Sequence, residues 1–192
     1  MYLQPEPIVA APDWRETLTR GDVVLFPFPV ADTDNPEAKP KIRPCLVLET
    51  PKMGDKRFAV LAYGTSAPRG RHSKGYDICV TAPDATQVAA LRKPTRFEGD
   101  RRLTVSLDHP GFDLSYDHDT PVIGHLDTYL ADRMNDVRAR IQAEADIAAE
   151  TRRERRRQRL ADRARWAREG RAFQKHNEAL LASRNSDERT SG

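Results

Sequence analysis

Gly21-Asp22-Val23-Val24-Leu25-Phe26-Pro27-Phe28 opens at a glycine and runs apolar until Pro27 and Pro29, where φ is fixed and two backbone donors are lost. This predicts a β-strand broken at the prolines. A loop rich in Asp, Asn, Pro and Lys follows over residues 30–41, and then two β-branched and aliphatic runs at 42–48 and 57–62. Pro51-Lys52-Met53-Gly54-Asp55, between those runs, carries turn chemistry, so the three runs predict a meander of short antiparallel strands. Reactive side chains collect at the strand ends. Ile42-Arg43-Pro44 sets an arginine where the second strand begins, and Gly64-Thr65-Ser66 sets two hydroxyls where the third stops.

The flanking segments extend this pattern. Residues 13–18 predict a helical turn capped by Asp13, with Trp14 and Leu18 on one side as a lid on the sheet. Downstream, 76–81 predicts a strand and 84–90 a short helix capped by Asp84. Strands at 95–97 and 103–107 flank a polar turn, Glu98-Gly99-Asp100. Residues 108–119 form an acidic loop or edge, and 122–124 a last short strand. From His125 the period changes: Leu126, Leu130, Met134, Val137 and Ile141 recur at helical spacing, and that face must pack on the sheet or on a second copy. Beyond Ile141 the stripe thins to alanines. Arg152-Arg153-Glu154-Arg155-Arg156-Arg157-Gln158-Arg159 has no apolar residue, and Leu160, Ala164, Phe173, Leu180 and Leu181 resume a weak stripe. Composition favours helix through about Ala182, although little there can be buried.

The chain has 192 residues, 38% hydrophobic and 32% charged, which suits one domain plus a solvated extension. The expected division is an N-terminal arm at 1–19, a barrel at 20–124, a packing helix at 125–150 and a basic helical or disordered tail at 151–192. Residues 1–150 carry 19 cationic and 23 acidic side chains (net −4) and residues 151–192 carry 13 and 6 (net +7), so the net +3 belongs to the tail. A basic tail on a mildly acidic body fits nucleic-acid attraction and equally fits a solvated helix. Cys45 and Cys79 lie in apolar runs without C-x-x-C spacing and read as reduced core thiols of a cytoplasmic protein. The N-terminus lacks the cationic and apolar regions of a signal peptide, and no apolar run approaches the ~20 residues that span a bilayer.

Gly21-Asp22-Val23-Val24, Arg43-Pro44 followed by Leu46-Val47-Leu48, Thr65-Ser66 after an apolar strand, and Leu91-Arg92-Lys93-Pro94-Thr95 together give residues 20–142 an order and spacing that resembles the PemK/MazF toxins of bacterial toxin–antitoxin systems. The resemblance implies an SH3-like β-barrel of the PemK/MazF type, here followed by a long charged C-terminal helix. It implies a metal-independent endoribonuclease with no cofactor, usually a homodimer, with RNA as substrate and a cognate antitoxin as partner. Arg43 with Thr65 and Ser66 occupy the motif positions of its catalytic residues. Gly64 stands where an apolar residue is usual in that family.

Cleaving RNA without a metal needs a route for the 2′-OH proton, positive charge for the pentavalent phosphate and a proton for the leaving 5′-oxygen. Arg43 can supply charge in a bidentate fork, and Thr65 and Ser66 can hydrogen-bond the phosphate. The same residues also suit a surface arginine and a turn threonine. Arg69, Arg71, His72 and Lys74 follow in a Gly- and Pro-containing loop with no acid, which fits phosphate contacts or a solvated hairpin tip. Asp117-His118-Asp119 has metal-ligand residue types, but neighbours on an extended segment point to opposite faces and need partners from elsewhere. Two rival functions stay open: a non-catalytic barrel that binds nucleic acid or protein, and a toxin inhibited by its own antitoxin-like tail.

Overall fold

The computed structural model describes residues 13–30, 40–68, 74–112 and 120–190, with α-helix side chains described through 178. Two compact units divide the chain, 1–141 and 142–192. The first is a curled antiparallel sheet, half a barrel, with helical elements against it. Its strands are β1 (Asp22–Pro27), β2 (Ile42–Glu49), β3 (Lys52–Met53), β4 (Lys56–Thr65), β5 (Asp77–Val80), β6 (Thr95–Ser106) and β7 (Val122–His125). Their order is β5-β6-β4-β2-β1-β7, with β3 paired to β4.

The central strands are apolar on both sides because both faces are covered. Alternate residues point to opposite faces, so Val23, Leu46, Leu48, Ala62, Ile78, Val80 and Phe97 enter one core, while Val24, Phe26, Cys45, Val47, Leu61 and Tyr63 enter a second. The first core is closed by the α3 helix (Thr128–Thr190), whose start supplies Leu130, Met134 and Val137, all buried, after Leu126 just ahead of it. The expected helical face therefore packs on the sheet. Asp127 caps that helix through Leu130 N–H (2.8 Å), and Arg138 ties it to Glu49 on β2 (2.7 Å).

The second core is lidded by α1 (Trp14–Thr17), as its Trp14 and Leu18 predict. Asp13 caps it through Arg15 N–H at 3.0 Å. Trp14 and Phe26 both pack against Phe112, at 5.3 and 4.8 Å between ring centroids. The Arg57 guanidinium donates to the carbonyls of Arg15, Glu16 (2.8 Å) and Leu18 (3.3 Å), which the end of so short a helix would otherwise leave unpaired.

Four local expectations are corrected. Residues 95–107 form one strand, β6, in place of two around a turn; Glu98-Gly99-Asp100 falls where the register against β4 jumps from Tyr63↔Glu98 to Ala62↔Arg102. That is a bulge, and Gly99 permits it because a Cβ there would lie 2.6 Å from the Tyr76 carbonyl. Helix α2 (Pro83–Val88) has Ala82 at its N-cap and Pro83 in its first turn, so Asp84 is not the cap. Cys79 is exposed and only Cys45 is a core thiol; both are free. The tail is helical to Thr190, past the predicted Ala182. Among the described residues, no helix is long and apolar enough to cross a membrane.

Candidate functional site

The residues at the strand ends meet at one cavity. In the register of β2 against β4, Cys45 lies opposite Tyr63 and Leu46 opposite Ala62, so the ladder ends two residues short of both Arg43 and Thr65. On its other side β2 pairs with β1, where Phe26 faces Arg43, and β4 pairs with β6, where Thr65 faces Arg96. Arg43, Thr65 and Ser66 all line a cavity of about 870 Å³, with Ile42, Gly64, Arg92, Lys93, Thr95 and Thr120 among its other walls. That lies toward the upper end of the roughly 300–1,000 Å³ typical of ligand pockets.

Gly64 makes the strand ends close enough to share this cavity. A Cβ at Gly64 would stand 2.1 Å from the Pro44 carbonyl oxygen and 2.9 Å from Phe97 Cε1. Phe97 is fully buried and Pro44 is strand backbone, so neither neighbour can yield cheaply. The residue that departs from the PemK/MazF pattern is thus required by this packing.

Arg43 is half-buried, with its guanidinium 5.6 Å from the centre of the Tyr63 ring, and no carboxylate pairs with it among the described residues. Thr65 is buried and Ser66 exposed. Thr65 Oγ1 accepts the Ala67 N–H at 3.1 Å, which leaves its O–H proton available to a ligand. Thr95 Oγ1 donates to the Lys93 carbonyl at 3.0 Å and holds the Arg92-Lys93 turn against the mouth of β6. That turn follows α2, whose C-cap is Ala89 and whose chain leaves through Ala90 at φ +50°; Leu91 N–H returns to the Thr86 carbonyl at 2.9 Å. Glycine is the usual residue for this left-handed closure, and alanine costs on the order of 1 kcal/mol there. Leu91 is thereby turned into the core while Arg92 and Lys93 stay exposed beside the cavity.

Arg96 belongs to a different environment. It pairs with Asp77 at 3.2 Å and Glu98 at 3.0 Å, all three side chains largely buried, so the cationic lining is left to Arg43, Arg92 and Lys93. Burial pushes the Cys45 thiol, two residues from Arg43, up to about 12, against the opposing pull of the Gly64 N–H and the Arg43 charge. It is no nucleophile.

Of the residues predicted for the site, Arg43, Thr65 and Ser66 are brought together. Lys74 is exposed and is not part of the cavity wall. Arg69, Arg71 and His72 lie outside the described residues, as do Asp117, His118 and Asp119. Among the described residues no group of three or more His, Cys, Asp or Glu is placed to hold a metal ion. Arg92, Lys93, Thr95 and Thr120 join the cavity without a role expected from sequence. The first three stand in the Leu91-Arg92-Lys93-Pro94-Thr95 motif, whereas nothing in sequence marks Thr120. Beside apolar walls that include Leu25, Ile42, Leu91, Val122 and Ile123, the cavity presents guanidinium, ammonium and hydroxyl groups, and these suit a phosphate-bearing ligand. No family model matches the chain, and no curated protein matches it.

Proposed function

We propose that this cavity cleaves single-stranded RNA and that the chain is a sequence-selective, metal-independent endoribonuclease of the PemK/MazF kind, its curled sheet being that family's SH3-like barrel. The observation that carries the reading is the convergence of Arg43, Thr65 and Ser66 on one cavity whose other cationic walls are Arg92 and Lys93. In this reading the scissile phosphate sits between Arg43 and Thr65. Arg43 takes two of its oxygens in a fork and neutralises the charge that builds as the neighbouring 2′-OH attacks phosphorus. The Thr65 and Ser66 hydroxyls orient the phosphate for in-line attack, and Arg92 and Lys93 hold the flanking phosphates. The 2′-OH gives its proton to water as the new O–P bond forms, and the P–O bond to the 5′-oxygen breaks as that oxygen takes a proton from water, leaving a 2′,3′-cyclic phosphate and a 5′-OH. A homodimeric toxin held in check by a cognate antitoxin completes the proposal.

The test is a matched pair of RNA oligonucleotides that differ by one 2′-deoxy substitution at the cut site. The all-ribo strand should be cleaved in EDTA to the cyclic phosphate and 5′-OH products, and the substituted strand should bind uncut. EDTA-sensitive cleavage to a 5′-phosphate would overturn the reading, and tight binding of both strands without cutting would make the protein a binding module.

A further inference from the structure

The second unit carries a charge pattern that the cavity does not use. Residues 152–171 hold ten arginines against three acids, a net +7 that equals the excess of the whole 151–192 stretch. All of it is helix. Arg152, Arg156, Arg159, Arg163 and Trp166 follow one another at intervals of four, three, four and three residues. At about 100° per residue these five share roughly 80° of arc and extend about 21 Å along the axis.

All five are exposed, Trp166 at 70%. None of the four arginines forms an ion pair among the described residues. Two of the three acids are already engaged: Asp162 accepts from Gln158 (3.2 Å) and pairs with Arg165 (3.5 Å), and Glu169 pairs with Arg165 (3.9 Å). A second copy of the helix cannot cover this face, because arginine would meet arginine at the seam positions. A membrane surface needs a continuous apolar face, and the large apolar residues of 152–178 are only Leu160, Trp166 and Phe173.

We propose that this face binds single-stranded nucleic acid, the four arginines following the phosphates and Trp166 stacking on an unpaired base. Sequence-tolerant single-strand binders combine a cationic track for the backbone with aromatic rings on which bases stack. The proposal goes beyond the cavity and does not depend on its chemistry. The helix gathers the strand by charge, and the strand is held without base readout.

The experiment measures binding of the full-length protein to a fluorescein-labelled, all-deoxy single strand longer than the ~4–16 nucleotides such sites occupy, across a series of KCl concentrations. Lacking a 2′-OH, this probe cannot report on cleavage, so failure of the cavity's proposed activity leaves the result unaffected. Replacing Arg152, Arg156, Arg159 and Arg163 together by Gln should reduce the log–log salt slope by about 3, from ~0.7 for each of four phosphate contacts. Replacing the same four by Lys should retain the slope. Trp166→Ala should weaken binding roughly 5- to 160-fold with the slope unchanged. Far-UV circular dichroism verifies that each variant keeps its helix. An unchanged slope in the Gln variant would overturn the proposal. So would a duplex bound as tightly as the single strand and indifferent to Trp166→Ala, or binding to phosphatidylserine vesicles with none to the oligonucleotide.

Discussion

Arg43→Ala separates a catalytic arginine from a structural one. In the folded protein Arg43 is half-buried, has no carboxylate partner among the described residues and holds its guanidinium 5.6 Å from the centre of the Tyr63 ring. A cation over an aromatic ring at a partly exposed position contributes about 0.5–1 kcal/mol. For a unit the size of residues 1–141, each kcal/mol moves Tm by roughly 2–4 °C, so the variant should melt no more than about 4 °C below the parent. The transition state loses far more. Removing one preorganised donor from a developing oxyanion costs about 3–4 kcal/mol, a rate loss on the order of 10²–10³. Single-turnover cleavage of a labelled RNA, measured beside a thermal melt, reads both quantities on one preparation. Arg43→Lys, which keeps the charge and loses the planar fork, should restore part of the rate. Cleavage at the parental rate would refute the role assigned to Arg43, and a melt lowered by more than about 10 °C would show that it holds the strands together instead.

Gly64→Ala should lower stability by about 1–3 kcal/mol or more, since the added methyl meets the Pro44 carbonyl at 2.1 Å and the Phe97 ring at 2.9 Å. It should also abolish cleavage by spreading Arg43 from Thr65; a parental melting curve would contradict this account of the site. The two thiols should differ sharply: at pH 8 a disulfide reagent should modify exposed Cys79 in the native protein and reach buried Cys45 only after unfolding. Because burial raises the Cys45 thiol from 9.0 to about 12, the unfolded chain gives up that proton first. The stability conferred by the neutral thiol is therefore complete below about pH 9 and is lost as pH rises toward about 12. A Cys45→Ala variant should lack that part of the alkaline decline, and parallel stability–pH curves for the two proteins would refute it.

Sequence by itself determined the strand meander, the helical face from Leu130 to Ile141 and the cap at Asp13, because each depends on residues within one or two turns or on a period that local geometry enforces; Leu126, expected on that face, is buried just ahead of the helix, which begins at Thr128 after the Asp127 cap. It also set Arg43 and Thr65-Ser66 at strand ends, a placement that needs only the strand boundaries. Where a local signal competes with a tertiary one, sequence was misleading: Glu98-Gly99-Asp100 has turn chemistry, yet pairing with β4 on one side and β5 on the other carries the chain through as a bulged strand. Cys79 sits in an apolar run between buried Ile78 and Val80, and which side of an edge strand is covered is decided by the rest of the fold. Only the tertiary structure decided that the Arg43 and Thr65 strand ends share a cavity with Arg92, Lys93 and Thr120, because those residues come from chain segments joined by no local period. It alone explained Gly64, whose reason is a carbonyl twenty residues earlier in the chain that leaves no room for a side chain.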